Sequence, residues 1–472
     1  MTARATPASS GRNRRPAGPL QHLCCIAASL GLLAALAGPA AAQIVPGESA
    51  FLRPATAPNP YGVANPQVRS LDPDIRRGVT VASRPRPEYD IAGVRYGSMI
   101  IRPMLRLDGL YDDNILATAT QQKFDWIGIT NAGLEAATDW STHEIRLSGQ
   151  IEDRKYVRFD SQDATPWRLN AQGRYDISAF QSFDARVSAA RIYIPRDDAE
   201  SINSLQPVAV DEQLASLGYA VRENRLGLRL MGLYQGLRYQ PTDIVLSNGA
   251  IVPSDQAYRN RNMYLGSGGL SYEIAPLRSA VLIARVNARD YIDQASNAGQ
   301  PNGPYNRSSS GYEVLAGLDS DFNGLFSFRV LVGWLQQFYQ DDRLPSPSAP
   351  TFDITLTWNP TTLTTVRALA NRMVTESIRT DSTSILRTNF GATIDHELMR
   401  NVLLNGALGY KIQDYQGIDR ISRTWVTNIG ATWLVNRNLR LGASYTFQRG
   451  DSPETNAEYD RNIFMLSLTA GL

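Results

Sequence analysis

Long apolar runs are missing from this chain, and so are most of the residues that metal sites and redox chemistry use. Nothing in it reaches the roughly 18 consecutive apolar residues of a membrane-spanning helix. It has two cysteines, Cys24 and Cys25, and three histidines. Lysine is almost as rare: Lys123, Lys155 and Lys411 stand against 44 arginines. The two cysteines fall within the first 25 residues, so the rest of the chain needs no disulfide framework and offers no thiolate chemistry. G-x-S-x-G and H-E-x-x-H are both absent. His22 falls in the N-terminal segment, His143 beside a short turn and His396 at a strand end next to Asp395. Neighbouring strand residues point to opposite faces, so Asp395 and His396 do not form a dyad within one strand. An enzyme is not expected, nor a cofactor, a metal site or a nucleic-acid partner.

What is present divides the chain into three parts. Arg12, Arg14 and Arg15 precede an apolar stretch from Leu23 to Ala37, and Ala40-Ala41-Ala42 supplies a small-residue cleavage site. Residues 1–42 therefore read as a secretory signal peptide. Residues 43–98 carry eight prolines and no lasting period, so they read as an extended, disordered N-terminal segment in the periplasm. From residue 99 to 472 the sequence alternates with period two.

That alternation is strict. In TPWRLNAQGRYDI (165–177), every second residue from Trp167 is apolar or small, while Arg168, Asn170, Gln172, Arg174 and Asp176 fill the other face. Phe326, Phe328, Val330, Val332 and Trp334 make another apolar face, and Phe464, Leu466, Leu468, Ala470 and Leu472 the last. The period gives about 18 strands, with those near 126–138, 211–221, 261–273 and 363–374 the weakest. Connections alternate without exception. Eight are short turns, such as 139–142 and 435–438. Nine are longer and polar: 113–124, 157–164, 194–210, 240–260, 292–308, 340–350, 375–383, 412–421 and 449–460. A soluble sandwich requires no such alternation. Nor does it place aromatics at both ends of apolar faces, as Trp167/Tyr175, Phe326/Trp334, Phe352/Trp358 and Trp425/Trp433 do. The pattern predicts an all-β fold, a transmembrane antiparallel up-and-down β-barrel, with both termini on the turn side. Loop 240–260, the longest, is a candidate to fold inward.

The stretch RPEYDIAGVRYGSMIIRPMLRLDGLYDDNIL (86–116) resembles the opening of the β-barrel porin type 2 family. The matching residues are Tyr89-Asp90, Gly93, Arg95, Gly97 and Tyr111-Asp112-Asp113-Asn114. The resemblance implies an outer-membrane barrel of a Gram-negative bacterium, of a kind often encoded beside exopolysaccharide or capsule genes. Physically, an interfacial tyrosine ends the first strand there, and the Asp/Asn cluster turns the chain out of the bilayer.

Charge is unevenly placed. The nine long loops hold 9 basic and 19 acidic residues, while the strands are net positive. Lipid-facing charge is costly near the midplane, so strand charge should face the lumen. The lumen-lining candidates are Arg102, Arg106, Arg146, Arg168, Arg174, Arg186, Arg229, Arg285, Arg329, Arg387 and Arg440, with Asp108, Glu144, Asp176, Asp184 and Glu313. They either pair across strands and hydrate the interior, or form an anion-favouring constriction. Inward aromatics look few, with Tyr156 one candidate. Two functions stay open: a porin-like channel for small hydrophilic solutes or ions, tied through the resemblance to exopolysaccharide export, and a closed structural or assembly barrel that meets export machinery through its tail. Expected partners are outer-membrane lipid, lipopolysaccharide with divalent cations at the acidic loops, the machinery that inserts barrels, and those export components. No residue marks a trimer contact.

Overall fold

The computed structural model describes residues 80–198, 201–246, 248–292, 306–377, 382, 384–453 and 458–472. The expected signal peptide, residues 1–42, and residues 43–79 of the expected extended segment lie outside the described residues. A short strand β1 (Val94–Tyr96) precedes the barrel. The wall begins with β2 (Met99–Asp112), β3 (Asp125–Thr138), β4 (Glu144–Tyr156), β5 (Trp167–Ser178), β6 (Gln181–Tyr193), β7 (Ala209–Glu223) and β8 (Leu226–Tyr239). A small hairpin, β9 (Thr242–Val245) with β10 (Ile251–Ser254), then stands apart from the wall. The wall resumes with β11 (Arg261–Ala275), β12 (Arg278–Tyr291), β13 (Ser309–Phe322), β14 (Phe326–Tyr339), β15 (Ser348–Thr361) and β16 (Thr364–Glu376). It ends with β17 (Ser384–Met399), β18 (Val402–Tyr415), β19 (Ile421–Leu434), β20 (Leu439–Asp451) and β21 (Tyr459–Gly471). Each wall strand pairs antiparallel with its sequence neighbours, β8 pairs with β11, and β2 pairs with β21. The result is a closed barrel of 18 strands, as the alternation predicts. The four strands with weak patterns are all present, as β3, β7, β11 and β16.

The two faces differ in chemistry. Leu105, Leu107, Leu147, Leu169, Val187, Val332, Ile429 and Leu466 stand exposed on the outside. Aromatics gather in two outward bands. Near the loop end, Phe352, Phe390, Tyr410 and Trp425 form a chain of ring contacts, with Tyr410 stacked on Trp425 at 4.0 Å. Near the turn end, Phe322, Phe326 and Phe328 cluster, and His143 stacks on Tyr175. This is a lipid-facing belt with amphipathic rings at its margins.

The inside is not uniformly polar. Val281, Ile283, Leu315 and Leu331 form a buried cluster on the inner face, and Leu214, Leu233 and Leu265 form another. Beside the first cluster, the backbones of β13 and β14 come unusually close. A Cβ added to Gly317 would lie 1.9 Å from the Val330 carbonyl oxygen, and one added to Gly333 would lie 1.7 Å from that of Val314. Only glycine allows the paired backbones of β13 and β14 to approach so closely.

Candidate functional site: the inner wall and its two mouths

The barrel's inner face is the candidate site. Register places all 16 candidate lumen residues on it, opposite the exposed apolar side chains. Several pair within a single strand, because residues two apart share a face. Arg106 Nε donates to Asp108 at 2.7 Å, Arg146 to Glu144 at 2.6 Å, and Arg174 to Asp176 at 2.7 Å. Arg174 also faces Asp184 directly across β5 and β6. Others pair between strands: Arg285 with Glu313 at 2.7 Å, Arg329 with Asp319 at 2.6 Å, and Arg168 with Glu212 at 3.4 Å. Arg186 donates to Asn170 at 2.7 Å. Arg229 lies in register with Gly269, and Arg387 with Met373 and Gln413. Arg102 reaches Glu135 at 3.2 Å, with Arg146 4.0 Å from the same carboxylate. The sequence reading missed Glu135. It sits opposite Arg102 once β2 and β3 are in register, so strand pairing was the signal that could have found it.

Inward aromatics are more numerous than the sequence suggested. Tyr156, Tyr239, Tyr291, Tyr339, Tyr415 and Tyr459 all occupy inward register positions near the loop end. Arg259 lies 4.1 Å from the ring centre of Tyr239, Tyr291 donates to Glu376 at 2.8 Å, and Tyr459 Oη accepts from Gln448 Nε2 at 2.7 Å. Arg289 donates to the same Glu376 across four strands. These tyrosines fasten loops and wall together. They were hidden because each stands alone at a strand end.

At the loop end, residues 194–198 and 201–208 are the ones that reach inward. Their base is held by Ile194, Val208, Val210, Leu237, Tyr239 and Met263. Asp197 accepts from Gln448 Nε2 at 2.7 Å and lies 4.0 Å from Arg461, on β20 and β21. Arg196 is fixed to Gln162 at 2.6 Å. Loop 240–260 carries the β9–β10 hairpin and supports this segment, with Leu205 N donating to Asp243 O at 2.8 Å.

The Tyr111-Asp112-Asp113-Asn114 motif locks the seam where the barrel closes. Asp112, fully buried, accepts from Arg461 Nε at 3.0 Å. Asp113 accepts from Asn462 N and Nδ2, both at 2.7 Å, and Asn114 Nδ2 donates to Asp460 O at 2.9 Å. Asn114 Oδ1 also caps the turn by accepting from Thr118 N at 3.0 Å. The motif makes the turn, as read from sequence, and also ties the first wall strand to the last.

At the turn end, residues 80–93 form a strap against the inner rim, where a free tail was expected. Val81 N donates to Thr365 Oγ1 at 3.0 Å on β16. Buried Arg86 pairs with buried Glu397 at 2.6 Å on β17. Ile91 lies against Gly471 on β21, where an added Cβ would come within 2.6 Å of it. Tyr89 N and Asp90 N both donate to Arg86 O at 2.7 Å; Gly93, at φ +78°, leads into β1, and Gly97, at φ +58°, turns the chain from β1 to β2. Arg95 then pairs with Asp139. The remaining motif residues thus build the strap and its exit. His143 Nδ1 accepts from Asp176 N at 3.2 Å. His396 bonds Thr364, while Asp395 takes Arg367.

A closed barrel with an apolar belt outside and ion-paired residues inside defines a membrane-spanning protein of the porin-like class, in the outer membrane. Residues 86–472 match the family described as Putative beta-barrel porin 2, and the chain belongs to it. No curated protein shows significant sequence similarity. Among solved structures, the chain is similar to a ferric enterobactin receptor (PfeA) mutant of Pseudomonas aeruginosa at 10% identity and a TM-score of 0.42, over 79% of this chain and 80% of that one. OccK3 (OpdO) of the same organism gives 14% and 0.41, over 79% and 96%. The copper transporter OprC gives 11% and 0.45, over 80% and 81%.

Proposed function

We propose that the protein is a channel for passive passage of small hydrophilic solutes or ions. Its turn end and N-terminal segment face the periplasm of a Gram-negative bacterium. The observation that carries this reading is the ion-paired inner belt on β2–β6, continued by Arg285–Glu313 and Arg329–Asp319. Such a belt serves water and dissolved ions, and a sealed barrel would favour apolar filling there. Because most of its arginines have carboxylate partners, the belt is close to neutral, which favours the pairing reading over an anion-selective ring. Among the described residues, His143 and His396 are engaged in wall contacts, which supports reading the protein as a channel rather than an enzyme. A link to exopolysaccharide export rests on the family resemblance, and lipopolysaccharide with its divalent cations would meet the acidic loops.

A closed barrel that meets export components through its tail is the second reading, favoured by the inward segments at both mouths. Single-channel recording of the refolded protein under a salt gradient separates the two. The channel reading expects discrete steps with a reversal potential near zero. It also expects larger steps from Asp197→Ala, which releases the inward segment from Gln448. A folded but silent barrel would favour the closed reading.

A further inference from the structure

The strap is held mainly by arginines, and they outnumber the acids that meet them. Glu397 takes Arg86 at 2.6 Å, Arg84 at 3.2 Å and Arg400 at 3.9 Å. Among the described residues it is the one carboxylate within 4.0 Å of these guanidinium groups, while Asp90 of the strap accepts from Arg86 N and attracts Arg440 from farther off. The wall's other contacts end on neutral backbone. Arg400 Nη2 donates to Pro85 O at 2.9 Å, Arg437 Nε to Pro87 O at 2.8 Å, and Arg440 Nη2 to Tyr89 O at 3.4 Å. Arg440 is 6% exposed, points inward, and its buried Nε has no hydrogen-bond partner. Guanidinium groups bond oxyanions about twice as strongly as they bond neutral carbonyls. Here three of them donate to neutral carbonyls of one short segment, Pro85, Pro87 and Tyr89, and an oxyanion would bond them more strongly.

We propose that Arg400, Arg437 and Arg440 form a recognition site for a small multivalent oxyanion, carrying carboxylate or phosphate groups, and that residues 84–89 occupy it as a displaceable stand-in. The anion takes the three guanidinium groups from the strap carbonyls. The strap then keeps Arg84 and Arg86 on Glu397, the Val81–Thr365 bond and the packing of Ile91 on Gly471, and without the three wall arginines these hold it more weakly in the mouth. Strap contacts run from β16 to β21, six of the eighteen wall strands, so its release would widen the turn-end mouth substantially. The inference deepens the channel reading by naming a solute class, and its test does not depend on current.

The reporter is a single cysteine at buried Val81, in a chain with Cys24 and Cys25 replaced by serine; Ile91→Cys is a second reporter at the other end of the strap. Folding is checked by the heat-dependent gel mobility of the barrel. Labelling by a water-soluble maleimide is timed in citrate, in tripolyphosphate, in sucrose, and in chloride at matched ionic strength. Citrate or tripolyphosphate should speed labelling about 10-fold over matched chloride, equivalent to about 1.4 kcal/mol, while sucrose should have no effect. The faster of the two anions identifies the preferred group. Arg400→Gln/Arg437→Gln should label rapidly without any anion and respond no further. Equal labelling in citrate, tripolyphosphate and matched chloride would overturn the proposal, as would full protection of both cysteines in the double variant. A silent barrel that still shows the labelling response would overturn the channel reading alone.

Discussion

Replacing Asp112 should weaken the barrel more than almost any other single change in the wall. Its carboxylate is buried at the seam between β2 and β21, where it accepts from Arg461 Nε at 3.0 Å and from Asn114 N at 3.0 Å. Arg461 has only 16% of its side chain exposed, and its next acid, Asp197, is 4.0 Å away. Asp112→Ala leaves that guanidinium buried and poorly paired, which costs about 3–5 kcal/mol. Asp112→Asn keeps an acceptor and loses the charge, for roughly 2 kcal/mol. The double change Asp112→Leu/Arg461→Met removes both charges, and exchanges of this kind are often near neutral. Urea titration of the refolded barrel in lipid vesicles, followed by tryptophan fluorescence and gel mobility, gives all three values. If Asp112→Ala falls within about 0.5 kcal/mol of the parent, which is the range of ordinary surface changes, the seam argument is wrong. It is equally wrong if the double variant is as unstable as Asp112→Ala.

Gly317→Ala drives a methyl group into the Val330 carbonyl and should cost about 3 kcal/mol or more; a neutral result by the same titration would mean that β13 and β14 do not approach so closely there. Leu466→Arg places charge in the outward apolar belt and should cost about 2–4 kcal/mol. The same change at exposed Ile251, on the hairpin beyond the wall, should stay within about 0.5 kcal/mol, and equal costs would refute the assignment of the belt. In the loop after β14, the Arg343 guanidinium beside Asp341 holds its carboxyl at about 2, with help from Arg343 N and Asn306 N and against partial burial. A depressed carboxylate stabilises above its unfolded value of about 3.9 and is lost only as pH falls through the folded value. Amide exchange at Asn306 and Arg343 should therefore stay protected through about pH 3 and rise toward pH 2, and early loss near pH 4 would contradict the pairing.

The wall could be read from the sequence because a strand's two faces are written two residues apart. The order of strands followed from connection length; the sequence reading expected charges to pair across strands, whereas Arg106–Asp108, Glu144–Arg146 and Arg174–Asp176 pair within a strand, two residues apart on one face. Interactions between distant segments left no such mark. Arg86 and Glu397 are 311 residues apart, and the proline-broken stretch around Arg86 has no period to announce that it packs. The close approach of β13 and β14 depends on Gly317 and Gly333, and nothing in the alternation sets these two apart from wall glycines with open space such as Gly109, Gly128 and Gly232. The neighbours of Gly317 and Gly333 are apolar on both faces, so the inner cluster was hidden behind the outer one. Length alone pointed to loop 240–260 as the inward segment, whereas the contacts of Arg196 and Asp197 decide for residues 194–198 and 201–208.

The seam also constrains how the chain can fold. Asp112 and Arg461 are separated by 349 residues, so their meeting carries the largest loop-closure entropy among the wall pairings. Every other wall pairing joins consecutive strands of the sheet and can form as a growing meander. Closure is therefore the slow, late step expected of very non-local contacts. Until it occurs, β2 and the latest strand to join both present unpaired edges, which are templates for aggregation. A chain truncated before Tyr459 would keep those edges permanently, with seventeen strands well patterned and no cylinder.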